Sequence, residues 1–119
     1  MRKILFFLIL IAGIAGCKKS SSSGDQITYE AIITNGCANS VWTGAYNGPT
    51  GAPITVTKQP SGWKVTFENQ APKPAILDLR GSFYYDPAVC SKFGNVTLNI
   101  YVNGSLVQTG NTVIQYYLR

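Results

Sequence analysis

The 119-residue chain has no histidine, and its only methionine is the first residue. A Ser-His-Asp triad, a histidine general base and histidine metal ligands are thereby excluded. Carboxylates are scarce too: five Asp+Glu stand against ten Lys+Arg, for a net charge of +5. Residues 26–119 keep six basic and four acidic side chains, scattered singly. A nucleic-acid binder concentrates Lys and Arg along one face to replace condensed counterions, so nucleic acid is not an expected partner. Asp86-Pro87 reads as turn initiation with no second carboxylate in a short loop, so it makes no calcium site. Glu68 and Asp78, beside Lys64 and Arg80, read as solvated strand positions rather than as a glycosidase pair. Ser61-Gly62-Trp63-Lys64 has the S-x-x-K spacing, but Pro60 and Gly62 place Ser61 in a turn, and no K-T-G or S-D-N follows. No catalytic residue, metal or cofactor is assigned, and the chain reads as a non-enzyme. No window sustains helical spacing either.

What is present begins with a leader. Residues 1–16 run from basic Arg2 and Lys3 through an apolar stretch at 4–12 to small residues, the build of a secretory signal peptide. About 13 residues at 1.5 Å rise cover roughly 20 Å, short of a ~30 Å hydrocarbon core, so cleavage is favoured over spanning. Ile14-Ala15-Gly16-Cys17 resembles the bacterial lipobox, which implies diacylglycerol on the Cys17 thiol and a membrane held through acyl chains. Residues 17–26, Ser-rich with Lys18 and Lys19, read as a flexible tether, and residues 27–119 as one domain. By resemblance to Gram-negative lipoproteins, a lysine rather than an aspartate after the acylated cysteine implies the outer membrane, on its periplasmic side.

With Cys17 on lipid, Cys37 and Cys90 remain as an even pair in an oxidising compartment, and a disulfide is expected. The domain itself alternates with period two. The spacing predicts a hairpin over 54–58 and 63–68 around Pro60-Ser61-Gly62, with Val56 facing Val65 and Ile54 facing Phe67. A second hairpin is predicted over 95–109, where Asn103-Gly104 suits a type I′ turn and Val107 falls opposite Ile100. Further strands are expected at 27–34, 40–46, 75–80, 82–85 and 112–118. The result is an all-β fold, an antiparallel two-sheet immunoglobulin-like sandwich of about seven strands, with a barrel as the alternative. Predicted core positions are Ile32, Trp42, Ile54, Val56, Trp63, Val65, Phe67, Leu77, Leu79, Val96, Leu98, Ile100, Val107 and Ile114.

Aromatics carry the remaining functional signal: Trp42, Tyr46, Tyr84, Tyr85, Tyr101, Tyr116 and Tyr117 are the candidate binding residues, with Trp63 beside them. Neighbours such as Tyr84-Tyr85 and Tyr116-Tyr117 point to opposite faces of a strand, so one of each faces out and could stack on a sugar or a protein. Covering a half-buried sheet would use the same residues.

The strings W-K-V-T-F from Trp63, I-L-D-L from Ile76 and G-N-V-T-L-N-I-Y-V-N-G-S-L-V from Gly94 resemble the small lipidated β-sandwich proteins of Bacteroidota that are similar to MmpS-type transport-accessory proteins. The chain departs from that pattern in its Cys37/Cys90 pair and in the Pro-rich connection at 70–74. The resemblance implies an accessory role beside an envelope protein. The expectation is therefore a lipid-anchored, non-enzymatic binding or transport-accessory domain acting through sheet surface and edges. Its alternative is a carbohydrate-binding module using the aromatics.

Overall fold

The computed structural model describes residues 24–119; the leader, Cys17 and residues 18–23 of the tether lie outside the described residues. Eight strands follow in order: β1 (Gln26–Thr34), β2 (Val41–Asn47), β3 (Pro53–Pro60), β4 (Trp63–Glu68), β5 (Ala75–Tyr84), β6 (Asn95–Val102), β7 (Ser105–Gly110) and β8 (Val113–Leu118). They build two four-stranded sheets, β4-β1-β6-β7 and β3-β2-β5-β8, with every pairing antiparallel. The expected two-sheet sandwich is there, with its own strand order. Eight strands replace about seven, and residues 75–80 and 82–85 fuse into β5 because Gly81 pairs with Gly44 instead of ending a strand.

The Asn103-Gly104 hairpin forms as expected: Val102 pairs with Ser105, and both turn residues have positive φ (51° and 83°). The hairpin expected at Pro60-Ser61-Gly62 does not form. β3 pairs with β2, and β4 pairs with β1 in the other sheet. The two-residue link crosses between sheets, and its groups are claimed by β1: Gly62 N donates to Ala31 O (2.9 Å), and Ile33 N donates to Ser61 Oγ (2.8 Å). Alternation alone permits both outcomes, because Val56 and Val65 point at one core whether their strands lie side by side or face to face.

Facing sheets let the large aromatics interlock. Trp42 and Tyr46 from β2 meet Tyr29 of β1 and Trp63 and Phe67 of β4, with centroid spacings of 5.1 Å for Trp42–Trp63, 5.3 Å for Tyr29–Tyr46 and 5.6 Å for Tyr46–Trp63. Such tilted contacts add about 0.5–1.5 kcal/mol each beyond area burial. Trp42 Nε1 is buried without a hydrogen-bond partner, so ring packing has to outweigh that desolvation. Its indole lies over Gly44 and Gly81, where a Cβ would approach the ring to 2.5–2.6 Å.

Two predicted core positions, Ile32 and Ile54, and one predicted pairing, Val107 with Ile100, are corrected. Ile32 shares its strand face with Glu30 and lies opposite Thr97 on the outer side of the sheet, while Ile27, Tyr29 and Ala31 are buried. Ile54 sits on edge strand β3 and is 39% exposed. Val107 is skipped where the register shifts: Ile100 pairs with Gln108 and Tyr101 with Leu106, and the extra residue of this bulge is half-buried against the core.

The outer faces carry polar ladders. Glu30 accepts from Asn99 Nδ2 (3.0 Å) and Tyr101 Oη (2.9 Å) and pairs with Lys64 (3.3 Å). Asp78, expected to be solvated, is buried beneath a two-pronged Arg80 contact (2.8 and 2.9 Å) and Gln115 Nε2 (2.7 Å). The Asn99 amide foremost holds the Glu30 carboxyl below the usual range, and the Arg80 guanidinium does the same for Asp78. Each depressed value stabilises the fold above the unfolded-state pKa, and the contribution is lost as pH falls through the lower folded-state value. Urea midpoints should thus be flat near neutrality and drop below about pH 4, with Asp78→Asn giving a shallower acid slope. A wild-type midpoint that holds constant down to about pH 2 would refute this.

Candidate distal binding surface

Strand direction divides the connections between two poles. Chain entry at Gly24, the β2–β3, β4–β5 and β6–β7 links and the end of β8 share one pole; the β1–β2, β3–β4, β5–β6 and β7–β8 links share the other. The entry pole is tied down by Asp25, which pairs with Lys73, accepts from Asn103 Nδ2 (2.9 Å) and receives Asn69 N on its carbonyl (2.8 Å). Gln26, placed in the tether by the sequence reading, already pairs with Glu68 in β1.

The far pole is built from the 85–94 link. Asp86 starts its turn as expected: the carboxylate accepts from Ala88 N (3.0 Å), and the carbonyl accepts from Val89 N (2.9 Å) and Cys90 N (2.8 Å). Cys90 is bonded to Cys37 at a Cα separation of 5.7 Å, as the cysteine count implied, and Asn39 Nδ2 donates to Val89 O (3.0 Å). The segment is pinned in this way to the β1–β2 link. Phe93 is 73% exposed, held between Phe83 (5.7 Å) and Tyr85 (5.4 Å), with Val89 also exposed. Beside them the Lys58 ammonium sits 4.6 Å from the Tyr84 ring centroid, placed there by a β-bulge that gives Lys58 a positive φ of 47°.

Two concavities open at this pole. One of about 170 Å³ lies between Val41, Lys58, Tyr84 and Val89. The other, about 280 Å³, lies at the mouth between the sheets and is lined by Phe83 and Phe93 together with Asn95, Asn111 and Thr112. A larger hollow of about 750 Å³ lies at the entry pole against Lys73, Tyr116 and Tyr117. Among the described residues, no three Cys, Asp or Glu side chains are grouped to hold a metal ion.

The aromatics read from sequence are therefore dispersed. Trp42 and Tyr46 are core and unavailable to a ligand. Tyr101 is bonded to Glu30, which raises its hydroxyl pKa, and Tyr116 is half-buried against the core. Tyr117, 61% exposed, stands at the entry pole, and only Tyr84 and Tyr85 reach the far one. Phe93 was missed because it lies in no strand and so carries no periodic signal; its place three residues after an expected disulfide cysteine was the available clue. The S-x-x-K pair is structural: Ser61 Oγ serves Ile33 N, while Lys64 serves Glu30.

No family model matches the chain, and no curated protein matches it.

Proposed function

We propose that the chain is a non-enzymatic binding domain of the cell envelope, held at a membrane by acyl chains on Cys17 and working through the pole farthest from that anchor. The observation that carries this reading is the gathering of exposed Phe93, Tyr85, Tyr84 and Val89 at the end opposite Gly24. Exposed apolar side chains are ordinary when single, but several on one stiffened tip favour contact with a partner.

The sheet edges supply a supporting contrast. β3 ends in Pro53 and Pro60 and is bulged at Lys58, β7 is bulged at Val107, and the β8 carbonyl of Gln115 is capped by Gln108 Nε2 (3.1 Å). These devices oppose pairing of a partner strand at three of the four edges, β4 being the fourth. The transport-accessory role implied by the family resemblance is one form of contact at such a tip.

Anchor and tip are tested together in cells making the full chain. Cys17→Ser should abolish palmitate incorporation and membrane retention. A benzophenone amino acid at position 93 should give ultraviolet-dependent adducts that the same probe at position 105, at the start of β7 beside the entry-pole turn, does not. Equal adducts from the two positions, or none from 93, would remove the distal reading, and palmitate labelling that survives Cys17→Ser would remove the anchor.

A further inference from the structure

We propose that the mouth of the sandwich between Phe93 and Asn111 binds a neutral sugar ring. This rests on the distal pole being the working surface and names its ligand class. A pyranose has one face of C–H groups that packs on an aromatic ring, and a rim of hydroxyls that both donate and accept hydrogen bonds. The groove has both kinds of group. Phe83 and Phe93 offer apolar ring surface, with Phe93 held in place by its contacts to Phe83 and Tyr85. Asn95, Asn111, Ser82 and Thr112 line the same groove, and their amides and hydroxyls are groups that donate and accept alike.

Charge narrows the choice of occupant. No ionised side chain lines this groove, so a phosphate, a uronic acid or a sulfated sugar would lose its hydration without gaining a counter-charge. A wholly apolar ligand would strand the amides and hydroxyls, at a cost of about 1–3 kcal/mol for each buried group left unpaired. Size adds to this: about 280 Å³ falls just below the roughly 300–1,000 Å³ of drug-sized ligand clefts, suited to one sugar unit with its chain continuing into solvent.

The β7–β8 link that supplies Asn111 and Thr112 is also held in advance of binding. Gly81 N donates to Thr112 O (2.8 Å), and Val113 N donates to Asn111 O (2.6 Å), closing a three-residue turn around Thr112. Thr112 has a φ of 65°, a conformation rarely adopted by a β-branched residue. Backbone strain of this kind, about 1–3 kcal/mol, persists where surrounding structure enforces it. Here it fixes Asn111 at the lip of the groove, so less ordering remains to be done on binding.

The test uses the full chain in detergent micelles on an array of neutral and acidic glycans, followed by titration of the retained glycan against the ¹⁵N-labelled protein. Neutral glycans should be retained, with shifts concentrated in the side-chain amides of Asn95 and Asn111. Phe93→Ala and Asn111→Ala should each weaken binding about tenfold, and Tyr117→Ala at the other pole should leave it unchanged. Phe93 is mostly exposed, so its variant should keep the parent's melting temperature and dispersed spectrum. Retention of no glycan, of acidic glycans only, or with an affinity indifferent to both changes would overturn the assignment. If the benzophenone at 93 captures a protein while no glycan is retained, the sugar assignment falls and the distal reading stands; if neither occurs, both fall.

Discussion

Removing the Cys37–Cys90 bond, by reductant or by the paired change Cys37→Ala/Cys90→Ala, should lower the free energy of unfolding by about 4 kcal/mol. The bond joins residues 53 apart in sequence, so its chief effect in the chain-entropy account is to confine the unfolded chain. Domains of this size are stable by only about 5–15 kcal/mol in total, so the loss is a large fraction. The urea midpoint followed by tryptophan fluorescence should fall on the order of 2 M, and the denaturant slope should rise because the freed unfolded chain is more expanded. The bond also clamps two connections that cross between sheets at the far pole. Amide exchange at 85–94 should consequently accelerate more than exchange in β1 or β6. An unchanged midpoint under reducing conditions would show that the sandwich is held by its core alone.

Gly44→Ala is expected to cost about 3 kcal/mol or more, well above the usual price of a surface change. A Cβ on Gly44 would lie 2.0 Å from the Arg80 carbonyl oxygen and 2.5 Å from the Trp42 ring. Neither neighbour can yield cheaply. The carbonyl belongs to β5, paired with β2, and the indole is fully buried against Trp63. The methyl must therefore prise β2 from β5 or tilt Trp42 out of the aromatic interlock. Gly62→Ala is the contrast: it has open space around it but a φ of 86°, so it should cost only about 1–2 kcal/mol of backbone strain. Midpoints for the two variants that fall by equal amounts would refute the packing argument, and a Gly44→Ala protein as stable as the parent would refute the placement of Trp42.

Legibility followed the range of the interaction. The β6–β7 hairpin could be read because Asn103-Gly104 is a local signal: two adjacent residues that accept positive φ fix the turn and its register within a few positions. The Pro60-Ser61-Gly62 link looked much the same, yet its strands part into different sheets. Nothing within residues 54–68 records that β1 is there to take the turn's hydrogen bonds. In β1 itself the needed signal was present, since Glu30 and Ile32 have the same parity and a carboxylate facing the core is costly, which assigns Ile32 to the outside. Among the aromatics, two-residue periodicity separates the faces of each strand without saying which face meets the other sheet. Tyr46 thus read like Tyr84, although the first is buried and the second is at a tip, while Trp42 carried both a core and a binding reading and is core.

By itself the sequence determined the alternating strands, the Asn-Gly turn, the pairing of two cysteines and the absence of histidine chemistry, because each depends on residue type and short spacing. The tertiary structure decided which strands are neighbours, which aromatics are interior, and that Phe93, Tyr85 and Tyr84 meet at the pole opposite chain entry. Those outcomes depend on contacts between residues far apart in the chain, where burial is set by the sheet lying opposite and not by the residue's own neighbours.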